Sequence, residues 1–320
     1  MSRPVILVDG LNLFTRHYVA NPTMSASGEH VGGIVGFLKN IRFLCEKFNP
    51  SALCIAWEGG GSSRRRAVRK NYKGNRRPVK LNRFYEDLPD TYQNRNSQIV
   101  SLIQFIKHLP VIQVYVPDCE GDDIIAHMAS NTFSNEECMI ISSDKDLYQC
   151  ISNRVKQWSP GRKKVMTPES VLEEFGILSS NFALTRAFVG DASDGIVGVK
   201  GAGFKTMAKR FPMLAEVEDI ILEDIFKFAE TNSVKKSPAI YSHIMESQAQ
   251  VIDNMKLMTL QGKNLSASQS LKIDGIVMNY EFSPNKLDLF RFFMKNEIKN
   301  FDIDALWISL KCLTTRKNPG

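Results

Sequence analysis

Four short apolar runs of this chain end in acid. Val5-Ile-Leu-Val8 leads into Asp9, Leu53–Trp57 into Glu58, Ile112–Val116 into Pro117-Asp-Cys-Glu-Gly-Asp-Asp123, and Met139–Ile141 into Ser142-Ser-Asp-Lys-Asp146. A further pair, Asp191 and Asp194, comes after Gly190. Carboxylates are oxygen-only ligands and select hard divalent cations. Mg²⁺ in particular binds a few carboxylates while keeping waters and substrate phosphate. Two carboxylates about 4 Å apart repel by roughly 4 kcal/mol at an effective dielectric near 20, so gathering them requires a cation. Between Asp118 and Asp123 there are four acids and no base. Two ions about 4 Å apart stabilise both the attacking and the leaving oxygen of a phosphodiester displacement. Asp9, Glu58, Glu120, Asp122, Asp123, Asp144, Asp146, Asp191 and Asp194 are the candidate ligands. Each acid alone has another explanation: Asp123 is equally placed to cap a helix, and Lys145 is a local partner for Asp144 or Asp146.

Positive charge is concentrated elsewhere. Arg64, Arg65, Arg66, Arg69, Lys70, Lys73, Arg76, Arg77, Lys80 and Arg83 are ten bases in twenty residues, with no acid between Glu58 and Glu86. The whole chain carries 41 Lys and Arg against 34 Asp and Glu, a net +7, so distribution informs more than total. Solvated surfaces normally interleave both signs, whereas a run of one sign is ordered by a polyanion. Tyr72, Phe84 and Tyr85 lie within the run and offer rings for unpaired bases. Arg65, Arg69, Tyr72, Lys73, Arg76 and Arg77 are therefore candidate nucleic-acid contacts.

A second basic element lies beyond Gly190. Asp191 and Asp194 have the spacing of neighbours on one side of a helical turn and can join the other acids. Lys200-Gly201-Ala202-Gly203 then permits a tight turn before a helix bearing Lys205, Lys209 and Arg210. Backbone N–H groups at such a helix start suit a phosphate backbone contacted without reading bases. Alone, the glycine pair is equally a plain helix-to-helix turn. A dinucleotide fingerprint is disfavoured, because Asp9-Gly-Leu-Asn12 after the first strand does not match it.

The elements that must position these groups can be read from hydrophobic patterning. The 320 residues are 43% hydrophobic and 23% charged, which is ordinary globular usage. Up to about residue 190, apolar runs alternate with amphipathic stretches, predicting an α/β fold: a mostly parallel twisted sheet flanked by helices. The expected strands are Val5–Val8, Leu53–Trp57, Ile112–Val116 and Met139–Ile141, with helices near Val31–Phe48, Ser97–His108 and Asp123–Ser130. A parallel sheet gathers the carboxyl ends of its strands on one edge, so the acids are expected to converge there. Beyond Gly190 helical patterns dominate, over Leu214–Glu230, Ala239–Leu260 and Asn285–Leu310. The expected division is a core over 1–189, with the basic insert at about 59–97, and a helical region over 190–320. No apolar run is long enough to span a bilayer or to serve as a signal, which predicts a soluble, cytoplasmic protein. Six dispersed cysteines fit a reducing compartment and suggest neither a disulfide framework nor zinc.

Together these motifs resemble the 5′-nuclease (flap endonuclease) family, in particular the phage ribonuclease H and flap endonuclease type of T-even-like viruses. The resemblance is carried by Val8-Asp-Gly-Leu-Asn12 with Arg16, Tyr72-Lys-Gly-Asn-Arg76, Glu120-Gly-Asp-Asp123, Ser142-Ser-Asp-Lys-Asp146, Val155-Lys-Gln-Trp-Ser-Pro160, and Gly190-Asp-Ala-Ser-Asp194 with the glycine turn. It implies a structure-specific, Mg²⁺-dependent 5′-3′ exonuclease and flap endonuclease that removes RNA primers during replication by a two-metal-ion mechanism, with Mn²⁺ as a substitute ion. It implies that Asp9, Glu120, Asp122 and Asp123 surround one ion, and that Asp144, Asp146, Asp191 and Asp194 surround or approach the second. Glu58 stands where the family usually has Asp, and Gly121 where it commonly has Ala. The basic insert matches the family's helical arch. Lys73 matches the arch lysine at the scissile phosphate, and Arg65 and Arg76 match nearby phosphate-binding positions, with Arg16 also on the nucleic acid. Residues 190–212 match the helix–three-turn–helix element that grips duplex DNA through Lys200, Gly201, Gly203, Lys205 and Lys209 and often holds K⁺. The implied partners are 5′-flap or nicked duplexes, RNA–DNA primer hybrids, and replication proteins such as a single-strand-binding protein or sliding clamp. A monomer in the host-cell cytoplasm, with no membrane association, completes the reading.

Three other classes compete. A PIN-type metal-dependent ribonuclease shares the sheet and acids but generally lacks the arch and the duplex-binding turn. A non-catalytic protein of branched DNA would not need Asp9 or the Asp144 and Asp146 pair. An aspartyl phosphatase would carry a second acid two residues after Asp9, where this chain has Leu11. His17, His30, His108, His127 and His243 are scattered, and no Ser-His-Asp arrangement can be nominated from spacing.

Overall fold

The computed structural model describes residues 3–74, 92–233, 237–260, 264–282, 285–299 and 301–315. In chain order its elements begin with β1 (Val5–Asp9), α1 (Gly10–Ala20), α2 (Gly32–Phe48), β2 (Ala52–Trp57), α3 (Ser63–Val68), α4 (Tyr92–Ile106), β3 (Ile112–Tyr115), α5 (Gly121–His127) and β4 (Cys138–Ile141). They continue with β5 (Val155–Ser159), β6 (Lys164–Met166), α6 (Pro168–Phe175), α7 (Phe182–Val189), α8 (Phe204–Arg210), α9 (Met213–Glu216) and α10 (Leu222–Asn232). The last are α11 (Ala239–Glu246), α12 (Gln248–Met258), α13 (Ala267–Met278), α14 (Lys286–Lys295) and α15 (Ile303–Ser309).

The described residues fall into two compact units. Those within Met1–Gly59, Pro78–Ser142 and Ala267–Gly320 form the first, and those within Gly60–Arg77 and Ser143–Ser266 form the second. The division therefore does not fall at residue 190. The segment from Ala267 returns to the first unit because its side chains complete that core: Phe293 stacks against Phe301 at 4.7 Å and meets Phe105 edge-on at 5.3 Å. Tyr280 donates its hydroxyl to the Leu109 carbonyl at 3.1 Å, and His127 pairs with Asp274 at 3.0 Å.

In the first unit β3, β2, β1 and β4 lie side by side and all parallel. Val5, Ile6, Leu7 and Val8 are completely buried, as a parallel strand covered on both faces requires, which is why the run is continuous rather than alternating. Asp9 pairs in register with Ala56, and Val8 with Ile141, so the carboxyl ends finish nearly level. Helix α1 starts directly from β1 and lies close on β2. A Cβ at Gly10 would come within 2.7 Å of the Trp57 ring and 2.9 Å of the Ala56 carbonyl, an approach only glycine allows.

In the second unit β5 and β6 form an antiparallel hairpin, with Gln157 opposite Met166. Helices α6 to α12 enclose an apolar core that includes Tyr148, Phe182, Phe188, Phe211 and Leu214. The rings of Phe175, Phe182 and Phe204 pack at 5.1–5.3 Å.

The α/β class and the four expected strands match the structure to within a residue or so at each end. β5 and β6 were not anticipated, since Val155-Lys-Gln-Trp-Ser159 mixes polar and apolar residues without an uninterrupted apolar run. Helix α1 was missed as well. Each of the three long helices expected after Gly190 is broken in two. Leu214–Glu230 divides at Asp219, which adopts a left-handed φ of 54°. Ala239–Leu260 divides at Ser247 (φ −108°, ψ 13°), and the last stretch restarts at Asp302, whose side chain accepts from the Ala305 N–H at 2.8 Å.

Candidate active site

The first acidic set is built on the level strand ends of the first unit. Asp9 is the N-cap of α1: one carboxylate oxygen accepts from the Asn12 N–H at 3.0 Å and the other from the buried Ser142 hydroxyl at 2.9 Å. The β2 and β3 ends are tied by two backbone bonds, Gly59 N–H to Cys119 O and Asp118 N–H to Gly59 O, each 2.8 Å. That clamp brings the Glu58 carboxylate to the Gly121 N–H, which donates to it at 3.3 Å. Glu120 occupies the N-cap of α5 without a side-chain cap bond, so Asp123 lies inside the helix and does not cap it. Three residues apart, Glu120 and Asp123 share a side of the first turn and are 3% and 1% exposed. Asp122 points elsewhere, about 100° round the helix, and is half-buried.

The second set lies in the second unit. Asp144 accepts from the Asp146 N–H at 2.9 Å, and its own carbonyl takes a bond from Gln157, fully buried on β5, at 2.7 Å. Asp191 and Asp194 do not sit on a helical turn as their spacing suggested. Asp191 and Ile196 exchange two backbone bonds of 2.7 Å and close a short loop in which Ser193 donates twice to the Asp191 carboxylate. Gly190 opens this loop at φ 78°, where a Cβ would fall 2.3 Å from the Gly198 nitrogen. Asp194 is 7% exposed.

Arg186, on the last turn of α7, was missed by sequence reasoning. Its Nε donates to Asp146 at 2.8 Å, one terminal nitrogen donates to the Gly190 carbonyl at 2.8 Å, and the other donates to the Asp191 carboxylate. One guanidinium thus joins two expected metal ligands. The signal available was a lone base four residues before Gly190, which is weak without the fold. Burial pushes the Asp146 carboxyl up to about 6, against the opposing pull of Arg186 and with a smaller push from Asp144. Burial also acts to raise Asp191, but hydrogen bonds from Ser193 and the Arg186 charge outweigh it and hold Asp191 below the usual carboxylate range. Lys145 is engaged differently: its ammonium stands 5.6 Å over the Phe175 ring.

The basic run divides by face. Ser62 caps α3, its hydroxyl accepting from the Arg65 N–H at 3.3 Å. Arg64, Arg66 and Lys70 are exposed, but Arg65 is 1% exposed and its Nε donates to the Leu257 carbonyl at 2.9 Å. Arg69 is half-buried and bonds to Gly195 O and Asn254. Tyr72 packs against Ile196, Leu257 and Met258, with the Lys73 ammonium 5.2 Å above its ring. Lys73 has a left-handed φ of 57°, and its N–H donates to the Asp194 carbonyl at 3.3 Å. Arg76 and Arg77, with the rest of residues 75–91 of the expected arch, lie outside the described residues. Arg16 is exposed on α1. In the glycine turn, Gly203 is the N-cap of α8 and Gly201 takes φ 84°. Lys200, Gly201, Gly203, Lys205 and Lys209 are all exposed.

Among the described residues no three His, Cys, Asp or Glu side chains are grouped closely enough to hold an ion as they stand. The donor chemistry nevertheless suits a hard divalent cation: the ligands are all carboxylate, and Glu120 and Asp123 are held out of water, where an anion is costly without nearby positive charge. At the second set Asp146 and Asp191 already share Arg186, with which an ion there would have to compete.

Residues 4–176, more than half of the chain, match the family model described as 5′-3′ exonuclease, N-terminal resolvase-like domain. The 5′-3′ exonuclease of Bacillus subtilis is 30% identical over 238 residues, covering 70% of this chain and 74% of that protein. The 5′-3′ exonuclease of Buchnera aphidicola from Schizaphis graminum is 26% identical over 291 residues, 90% of this chain and 88% of that one. The flap endonuclease of bacteriophage T5, solved with DNA and metal ions, superposes with a TM-score of 0.67 over 95% of this chain and 99% of that chain. At 17% identity, that likeness speaks to the fold. The chain belongs to the 5′-3′ exonuclease family. It is a 5′ nuclease, an enzyme that hydrolyses phosphodiester bonds.

Proposed function

We propose that this nuclease depends on Mg²⁺, with Mn²⁺ able to replace it, and cuts 5′ flaps, nicked duplexes and RNA primers paired to DNA. In this reading Asp9, Glu120, Asp122 and Asp123, with Glu58 beside them, hold one ion, and Asp144, Asp146, Asp191 and Asp194 hold or approach another. Divalent ions so held would supply charge neutralisation at the phosphate and a water of lowered pKa. The chain's own groups do the remaining work. Ser142 and the Asn12 N–H fix the orientation of Asp9. The Gly121 N–H fixes Glu58. Lys73 supplies a cation to charge developing on the phosphoryl oxygens, an interaction strongest in the transition state. Exposed Lys200, Lys205 and Lys209, with the backbone of Gly201 and Gly203, meet duplex phosphates, and K⁺ binds at that turn. The products are a 5′-phosphate and a 3′-hydroxyl.

The observation that carries this reading is the family match over residues 4–176, which encloses Asp9, Glu58, Glu120, Asp122, Asp123, Asp144 and Asp146, each at or just after the end of a parallel strand. Among the described residues no helix is long and apolar enough to cross a membrane, and the reading places the enzyme, as a monomer, in the cytoplasm beside single-strand-binding and clamp proteins. The test is incubation with 5′-flap, nicked and RNA-primed duplexes, with and without Mg²⁺, mapping the products. Mg²⁺-dependent cuts near the 5′ junction are expected; no cleavage of any of the three would overturn the proposal.

A further inference from the structure

Arg65 and Arg69 are four residues apart in sequence, and both turn inward within the second unit. Arg65 is anchored on the Leu257 carbonyl at the end of α12. Arg69 donates from one terminal nitrogen to the Gly195 carbonyl at 3.2 Å and from the other to the Asn254 side-chain oxygen at 3.0 Å. Asn254 is fully buried within α12, and its amide nitrogen donates to the carbonyls of Ala187 and Val197, both at 2.9 Å. Gln250 also reaches Val197 O, at 2.8 Å. Ala187 and Val197 bracket the loop that carries Asp191 and Asp194, and Gly195 lies inside it.

We propose that Asn254 is a positioning residue for phosphodiester cleavage, clasping both ends of the Asp191 and Asp194 loop with its amide N–H groups and holding the basic segment to that loop through Arg69. A carboxamide is suited to this because it offers two donors and an acceptor in one fixed plane. An aspartate would set negative charge against two carbonyls, and an apolar side chain would take a donor from both, leaving Val197 O with Gln250 alone and Arg69 with Gly195 O alone. Arg69 is then a latch on Asn254 and Gly195 rather than a phosphate ligand, while Arg64, Arg66 and Lys70 are exposed. The Lys73 N–H on Asp194 O is a second tie between the same two segments. Order in the basic segment and order in the acidic loop are thereby one event, so a nucleic-acid strand that settles the first also sets the second. The inference rests on the reading of Asp191 and Asp194 as ligands and goes beyond it by assigning what holds them.

The test combines Arg69→Ala, Asn254→Ala and their double variant, with kcat and KM on a 5′-flap duplex in Mg²⁺ and amide hydrogen exchange over residues 190–198. Each single variant is expected to lower kcat by about tenfold or more with KM within about threefold, and the double variant to fall little further than the worse single one. Exchange in the loop should quicken by about tenfold in both, and Arg69→Lys should restore part of kcat and protection. Should Asn254→Ala fail to fold, Arg69→Ala at a half-buried position still decides. Unchanged loop exchange in Arg69→Ala, or kcat losses that multiply independently in the double variant, overturns the clasp. If the wild-type chain cuts no flap in Mg²⁺, the functional reading fails on its own, and the exchange measurement still answers for the clasp.

Discussion

Arg186 shows how the second acidic set tolerates its own charge. Asp146 and Asp191 would repel in a half-buried place, and one guanidinium with 19% of its side chain exposed bonds to both. Removing one partner of such a pair leaves the others uncompensated, so Arg186→Ala is expected to lower stability by about 2–4 kcal/mol in EDTA. Added Mg²⁺ should restore part of that loss, and thermal melts with and without the ion would show it. Asp146→Asn should abolish cleavage in Mg²⁺ while flap binding persists in a gel-shift assay; unchanged turnover would remove the ligand assignment. Lys73→Ala should lower kcat far more than it weakens substrate affinity, and an effect on affinity alone would make it a residue that merely places the strand.

At the scale of elements, the packing of α1 on α2 carries a pH dependence. Burial, with a smaller push from Arg16, lowers the His17 pKa to about 4, and the ring packs so closely on α2 that a Cβ at Gly36 would come within 2.7 Å of it. Among the described residues its Nε2 is buried with no hydrogen-bond partner. Because the folded pKa lies below the unfolded value of 6.5, the unfolded chain binds more protons between about pH 4 and 6.5. Stability should therefore fall as pH drops through that window, by about 3 kcal/mol at most. Denaturant titrations at pH 7 and pH 4.5 would measure the slope, and His17→Leu should flatten it. Two glycines beside the acidic strand ends should respond oppositely. Gly121→Ala meets only a Glu58 oxygen at 3.9 Å and should be nearly neutral, whereas Gly10→Ala forces α1 away from Trp57. A loss of about 1–3 kcal/mol is expected there, checked by the same titrations.

For the molecule as a whole, the net charge of +7 says little, whereas its placement predicts a salt dependence. Binding of a 5′ single strand should weaken with salt, and neutralising Arg64, Arg66 and Lys70 together should reduce the log–log slope by about 0.7 for each phosphate left without its cation. An unchanged slope would place the strand elsewhere. The segment from Ala267 bears on stability, since its rings and Asp274 complete the core of the unit that carries Asp9 and Glu120.

The acids at the strand ends, the glycine turn before α8 and the α/β class were legible in the residue order. A parallel strand buried on both faces must be an uninterrupted apolar run, and the residues just after it must lie at the sheet edge. Patterning of that kind is local. The inward turn of Arg65 and Arg69, the bridging by Arg186, the clasp of Asn254 and the return of the last helices to the first unit all join residues distant in the chain, or depend on which face of a short helix meets a neighbour. Nothing in a run of ten bases marks Arg65 and Arg69 as internal; tertiary packing decided that, because a buried guanidinium persists only where carbonyl and amide oxygens are already aimed at it.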